Sequence, residues 1–308
     1  MASKIRKIEH AETILLRPDS YIGSVTNQEI KAWICTGESE NFSFETVSYN
    51  QGFDKTFDEI LVNAYDHSVR TRGGDQPVKT IKVQVDSTTG RFSIENDGKG
   101  IPIEITDFGC YTPELIFDTL LTSSNYDDKE ERLTAGRNGY GAKLTNLFSK
   151  EFIVECVSDG QKYIQTWTDN MSKKEKPKII KVKEKAYTSV SWIPDYKRFG
   201  MPRVVPMLPL LYKRVIDIAA VLGKTVKVYW NDELVKINAI AKYARLYLGD
   251  DAPIVHEVLH DRCEIVVSDN PLKKFMQVSF VNGNLTSNGG THVNLLLKPI
   301  VDCVALLR

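Results

Sequence analysis

Glu59 and Asn63 stand four residues apart in the stretch FDEILVNAYDH, residues 57–67. A carboxylate can accept a proton from an attacking water. A carboxamide can give Mg²⁺ one neutral oxygen while phosphates and waters fill the rest of its shell. At helical spacing Phe57, Ile60, Leu61 and Ala64 make one apolar stripe. Glu59, Asn63 and Asp66 then fall on the opposite side. Two readings fit this pattern. One is a half-buried helix with a solvated acidic face. The other is a helix that presents a base and a metal ligand to a bound molecule.

Two glycine motifs downstream favour the second reading. Asp97 ends a strand-like run and is followed by Gly98 and Gly100 in NDGKGIP, residues 96–102. Such glycines permit positive φ and close approach of a ligand to the backbone. A carboxylate there can accept the exocyclic amine of adenine, and the carbonyl of guanine would repel it. A plain Asx-type turn accounts for the same residues. The second motif is GRNGYGAK, residues 136–143. Its glycines, then Lys143, open a helix, and N–H groups in such a loop bind phosphate. Lys143 adds a point charge. The spacing is neither GxxxxGKS nor GxGxxG, which argues against a Walker P-loop and a dinucleotide fold. A flexible glycine loop is the alternative.

The elements that must hold these residues follow from the pattern. The central helix is predicted over 56–70, with Gly73-Gly74 after it. Alternating Ile81, Val83 and Val85 mark a half-buried strand, and Phe92 and Ile94 a second one running into Asp97. A helix is expected from Thr112, as its cap, to about Leu121, with Pro113 at its first position. The polar stretch 122–134 reads as a lid. Residues 152–157, 163–168 and 187–193 read as strands, the last containing Thr188. The lysine-rich run 173–185 reads as a solvated loop. Upstream, Arg17-Pro18-Asp19 ends a helix, a short strand follows at Tyr21-Ile22, and 39–50 forms an edge hairpin. A helix over 210–222 stops at Gly223, and a hairpin turns at Asn231-Asp232. A helix over 239–248, strands over 254–260, 263–267 and 275–281, a loop over 282–290 and a helix from Thr291, kinked at Pro299, form a second α+β unit. Abundant hairpins predict an α+β fold of mixed sheets with helices on one face.

Composition sets the bounds. The 308 residues suit two domains. Lys plus Arg number 40 and Asp plus Glu 40, so nucleic-acid contact needs a local patch. Five scattered cysteines form no CxxC pair, which suggests a reducing compartment and neither zinc nor a disulfide framework. No signal-peptide core or membrane-length apolar run is visible.

The order of Glu/Asn helix, DxGxG, lid, GxxGxGxK and strand Thr188 resembles the GHKL class of ATPases, which includes Hsp90, MutL, the sensor histidine kinases and type IIA topoisomerases. ILLRPDSYIGS, FDEILVNA, ENDGKGIP, LLTSSNYDD, GRNGYGAKLTNLFS, QTWTDNM and SFVNGNLTSNGGTHV resemble the ATPase region of a eukaryotic-type DNA topoisomerase II. These segments run from residue 14 to residue 293.

That resemblance implies a GHKL (Bergerat) two-layer α/β sandwich over 1–237 and the start of a transducer domain over 238–308. It implies ATP and Mg²⁺ as cofactors. It makes Glu59 the general base and Asn63 the metal ligand. Asp97, supported by Thr188, reads adenine. Ser123, Ser124 and Asn125 meet ribose and phosphate. Arg137, Asn138, Gly139, Tyr140, Gly141 and Lys143 cradle the phosphates. In the whole enzyme, an intracellular one, two copies would close as a homodimer around double-stranded DNA, with no membrane involved. Ile5 stands where the family's strap tyrosine is found, and His67 where an asparagine is common. No QTK switch loop occurs in the sequence, so the chain is expected to be part of a longer one. The rival functions are another GHKL clamp, of chaperone or mismatch-repair type, and a non-catalytic module binding DNA through 173–185.

Overall fold

The structure is a computed structural model that describes residues 10–37, 41–119, 139–202, 206–260, 262–270 and 273–306. The chain opens with helix α1 (His10–Leu16), strands β1 (Gln28–Ile34) and β2 (Ser43–Tyr49), and helix α2 (Gln51–Arg70). Strands β3 (Thr80–Asp86) and β4 (Arg91–Asp97) lead to helices α3 (Thr112–Phe117) and α4 (Gly141–Leu147). Strands β5 (Ser149–Ser158), β6 (Gln161–Thr168), β7 (Lys173–Lys174), β8 (Lys178–Lys181) and β9 (Tyr187–Pro194) follow. Helix α5 (Leu208–Leu222), strands β10 (Lys227–Trp230) and β11 (Glu233–Leu234), and helix α6 (Ile240–Leu248) come next. The last elements are β12 (Ile254–His260), β13 (Cys263–Ser268), β14 (Phe280–Val281), β15 (Asn284–Leu285) and α7 (Thr291–Leu306).

The main sheet runs β11-β10-β3-β4-β9-β5-β6-β7, with β8 also paired to β6. Its pairs are antiparallel except β10 with β3. Strand β4 alternates, with Phe92, Ile94 and Asn96 buried and the residues between them less so. Its buried side faces the helix layer, where Phe53 and Phe57 of α2 meet Phe92 edge-on. Phe92 stacks on Trp192 across the β4–β9 pair at 5.4 Å. Each aromatic removed from water here contributes about 1.5–3 kcal/mol. The sheet-and-helix layering expected from the hairpin-rich pattern is therefore present.

Several boundaries differ from expectation. Helix α2 begins at Gln51, five residues before the predicted start, because Asn50 caps it: its Oδ1 accepts from Phe53 N at 3.0 Å. Asp66 lies on no solvated face; it is 2% exposed, since α2 is covered on several sides. Tyr21-Ile22 forms a turn after a 3₁₀ segment rather than a strand, with Tyr21 and Ile22 N both donating to Pro18 O. Helix α3 ends at Phe117, and Tyr111 rather than Thr112 occupies its cap position. The run 173–185 is partly strand, because β7 and β8 extend the sheet edge beside β6. Only Phe280 and Val281 of the predicted 275–281 strand pair, with β15 inside the expected 282–290 loop. The stretch 39–50 holds one strand rather than a hairpin: β2 pairs with β1, upstream of that stretch, in a separate two-stranded sheet and not at an edge of the main one.

Helix α6, the first element of the expected second unit, packs into the same core as α5. Tyr243 Oη donates to Asp217 Oδ1 at 2.7 Å, and Phe42 meets both Tyr243 and Tyr247 edge-on. Lys213 Nζ completes this buried group by donating to Asp217 Oδ2 at 3.1 Å. Among the described residues no helix is long and apolar enough to cross a membrane.

Candidate nucleotide site

Glu59 and the glycine motif meet where α2 packs against the start of α4. Gly139 has φ 63°, a left-handed conformation that suits glycine, and it turns the chain into Tyr140 and Gly141. A β-carbon on Gly141 would overlap Glu59 Oε2 and lie 2.7 Å from its carboxyl carbon. Only glycine at this place lets the carboxylate sit against the backbone of the helix start. Thr145 Oγ1 fastens the two helices by donating to Thr56 O at 2.8 Å. Glu59 pairs one turn back with Lys55. Asn63, one turn on, is exposed on the same helix.

Lys143 is 1% exposed, and burial pushes its ammonium down to about 8, against the opposing pull of Asp118. Tyr140 is half-buried, its ring 6.2 Å from that of His10. Ser123, Ser124, Asn125, Arg137 and Asn138, together with the predicted lid 122–134, lie outside the described residues.

At the end of β4 the geometry separates two neighbours. Asp97 Oδ1 accepts from the backbone N–H groups of Lys79 and Thr80, at 2.7 and 2.8 Å. That carboxylate thus ties β4 to the start of β3. Asn96 is 6% exposed and lies opposite Thr188 in the β4–β9 register, so the two side chains share the sheet face turned to the helices. Asn96 Nδ2 donates to Asp97 O at 2.9 Å, which leaves its Oδ1 as an acceptor. Among the described residues, Thr188 Oγ1 is buried without a hydrogen-bond partner. A buried polar atom left unpaired is costly, and a ligand edge would satisfy it.

Gly98 and Gly100 serve the protein's own packing. Gly98 has φ 93°, and a β-carbon there would lie 2.8 Å from Val78 N. At Gly100 it would overlap the Val157 carbonyl oxygen. His67 Nε2 lies 2.7 Å from Lys99 O and anchors this loop to α2. Burial lowers the His67 pKa, opposing that bond.

Sequence reasoning missed Asn96 and Lys55. Strand alternation could have found Asn96, which shares the buried face of Phe92 and Ile94. The i, i+4 spacing of Lys55 and Glu59 could have found the ion pair. Among the described residues, no group of three or more His, Cys, Asp or Glu side chains could hold a metal. A single neutral ligand such as Asn63 fits Mg²⁺ carried in with phosphates. The edge strands β7 and β8 carry exposed lysines; Lys173 pairs with Asp169, and Lys174 with Glu114 and Asp118.

The comparisons with known proteins give the family and the fold. Residues 50–180 match the family of histidine kinase-, DNA gyrase B- and HSP90-like ATPases, which is the class that the sheet, α2 and the glycine-opened α4 define. The chain is 46% identical over 307 residues to a probable DNA topoisomerase 2 of Dictyostelium discoideum, covering 97% of this chain and 20% of that protein. It is 42% identical over 327 residues to DNA topoisomerase 2 of Saccharomyces cerevisiae, covering 99% of this chain and 22% of that protein. The crystal structure of the ATPase region of Saccharomyces cerevisiae topoisomerase II superposes with a TM-score of 0.91 at 43% identity, over 100% of this chain and 82% of that one. The ATPase and transducer domains of Balamuthia mandrillaris DNA topoisomerase II give 0.87 at 39% identity, over 96% and 76%. The Thermus thermophilus gyrase B ATPase domain, 20% identical with a TM-score of 0.57, shares the fold. The chain belongs to the DNA topoisomerase II family and corresponds to its ATPase region. It spans about a fifth of the length of the curated relatives named here.

Proposed function

We propose that this chain binds Mg-ATP between the sheet and helices α2 and α4, and hydrolyses it with Glu59 as general base. The observation that carries this reading is the Glu59 carboxylate seated against Gly141, at the start of the helix that the glycine motif opens. A base held there is close to the backbone N–H groups that would bind phosphate. Asn63 would hold Mg²⁺, which when bound neutralises phosphate charge during transfer. Gly139, Tyr140, Gly141 and Lys143 would surround the phosphates, joined by Arg137 and Asn138. Ser123, Ser124 and Asn125 would meet ribose and phosphate.

The base would be read at the end of β4. Asp97 was expected to do this, but its Oδ1 is committed to Lys79 and Thr80. The geometry favours Asn96 with Thr188. The Asn96 amide is oriented by its bond to Asp97 O, so its Oδ1 faces an incoming amine and disfavours a carbonyl.

By its family the chain would act inside a longer intracellular enzyme. ATP would close two copies as a homodimer around double-stranded DNA, and hydrolysis would reset that clamp during passage of one duplex through another. Residues 1–237 would form the nucleotide-binding unit and 238–308 the first part of the transducer. Titration calorimetry with ATP and magnesium, beside phosphate-release kinetics, tests the reading. Tight binding of ATP over GTP together with magnesium-dependent turnover is expected. Equal affinity for the two nucleotides would refute the base-reading assignment, and failure to bind either would refute the site.

A further inference from the structure

Arg214 on α5 is 9% exposed and joins two parts of the chain that are far apart in sequence. Its Nε donates to Asp58 Oδ1 at 2.7 Å, and its Nη2 donates to Gly283 O at 2.9 Å. Asp58 immediately precedes Glu59 on α2. Gly283 lies in the turn between β14 and β15, with φ 77° beside Asn282 at 50°. The same turn touches α2 a second time: a β-carbon on Gly283 would lie 2.6–2.8 Å from the Tyr65 ring. The β14–β15 turn therefore grips α2 at Asp58, through Arg214, and at Tyr65 directly. Glu59 and Asn63 lie between those two grips.

We propose that Arg214 is a positioning residue for hydrolysis, holding Glu59 in register only while the β14–β15 turn is docked on α2. The physical case rests on burial and geometry. A guanidinium is a planar fork, so bonds from Nε and Nη2 fix the direction between Asp58 and Gly283 as well as the distance. A general base must lie within hydrogen-bond reach of its water, and small misplacements are costly in rate. Arg214 touches no expected nucleotide contact, so it should affect turnover and leave affinity alone. This inference rests on the reading of Glu59 as the base.

The test uses Arg214→Lys, which keeps a cation for Asp58 but lacks the fork that reaches Gly283 O as well. ATP affinity by calorimetry should stay within about threefold, while turnover at saturating ATP should fall at least about tenfold, the split expected when only alignment is lost. Introduced into Glu59→Gln, Arg214→Lys should lower the residual turnover no further, because both changes act through one group. Full turnover in folded Arg214→Lys, or additive losses in the double variant, would overturn the proposal. If Arg214→Lys does not fold, Gly283→Ala displaces the turn from Tyr65 while leaving Arg214 in place. It should show the same split, and normal turnover in it would also overturn the proposal. Glu59→Gln measured alone keeps the two ideas apart: full turnover there would remove the Glu59 reading itself.

Discussion

The carboxylate of Glu59 occupies the space that a side chain at Gly141 would need. One residue comes from the middle of α2 and the other from the first position of α4, so the carboxylate proposed as base and the start of α4 are fitted to each other. Gly141→Ala should push the carboxylate aside. Turnover is expected to fall by about tenfold or more, as for a misplaced catalytic group. Thermal unfolding should change little, because the overlap falls on the far end of a flexible side chain that can swing aside. Phosphate-release kinetics beside a melting curve would check both, and unchanged turnover would show that the close fit is dispensable.

Glu59→Ala should keep ATP binding and lose turnover. It removes the proton acceptor but leaves the contacts to base and phosphates. Losing a positioned base costs on the order of 10²–10⁴-fold in rate. It also frees Lys55, whose partner it was. Hydrolysis at the parent rate in the purified variant would exclude Glu59 as the base.

Asn96→Ala should weaken ATP binding by roughly 1–3 kcal/mol, the cost of leaving a ligand's polar edge unpaired. Asp97→Asn should do less to affinity, because an amide oxygen can still accept from Lys79 and Thr80. Calorimetric titration of the two variants ranks them. A larger loss from Asp97→Asn would return base recognition to that residue.

Lys143 provides a pH signature. Its pKa in the free protein is pushed down to about 8 by burial, so above that pH the side chain loses its charge. Bound phosphate would restore the charge by attraction. ATP binding should therefore take up a proton near and above pH 8, and affinity should fall as pH rises through that range. Calorimetry in buffers of different ionisation enthalpy reads the proton directly. Lys143→Met should weaken ATP binding and abolish this proton uptake.

Asp54, one turn before Asp58, is raised to about 6 by burial first and by the Asp58 charge second. Its folded pKa lies above the unfolded value, so the folded state binds the extra proton. Stability from this group is fully present below about pH 4 and is lost as pH rises through about 6. Asp54→Asn retains an acceptor for Tyr49 Oη, which donates to Asp54 Oδ2 at 3.2 Å. The variant should be more stable than the parent at pH 7.5, by on the order of 1–3 kcal/mol, and no more stable at pH 4. Denaturant unfolding at the two pH values would show it; equal differences at both would refute the sign.

Local features were legible in the residues alone. The apolar stripe of Phe57, Ile60, Leu61 and Ala64 marked α2, since a helix period is written within a dozen residues. Gly139 and Gly141 marked the start of α4, and Gly223 the end of α5, because backbone conformation at such points depends on the residue itself. The motif order carried the family. What depended on distant partners was left to the tertiary structure. Asp66 is buried because other elements cover α2, which its own helical pattern does not record. Asn96 rather than Asp97 faces Thr188 because register with β9 decides which side chains share a face. The Arg214 grip on Asp58 and Gly283 joins residues 156 and 69 positions apart. Contacts of that kind arise from packing between elements, and no short window of sequence contains both partners.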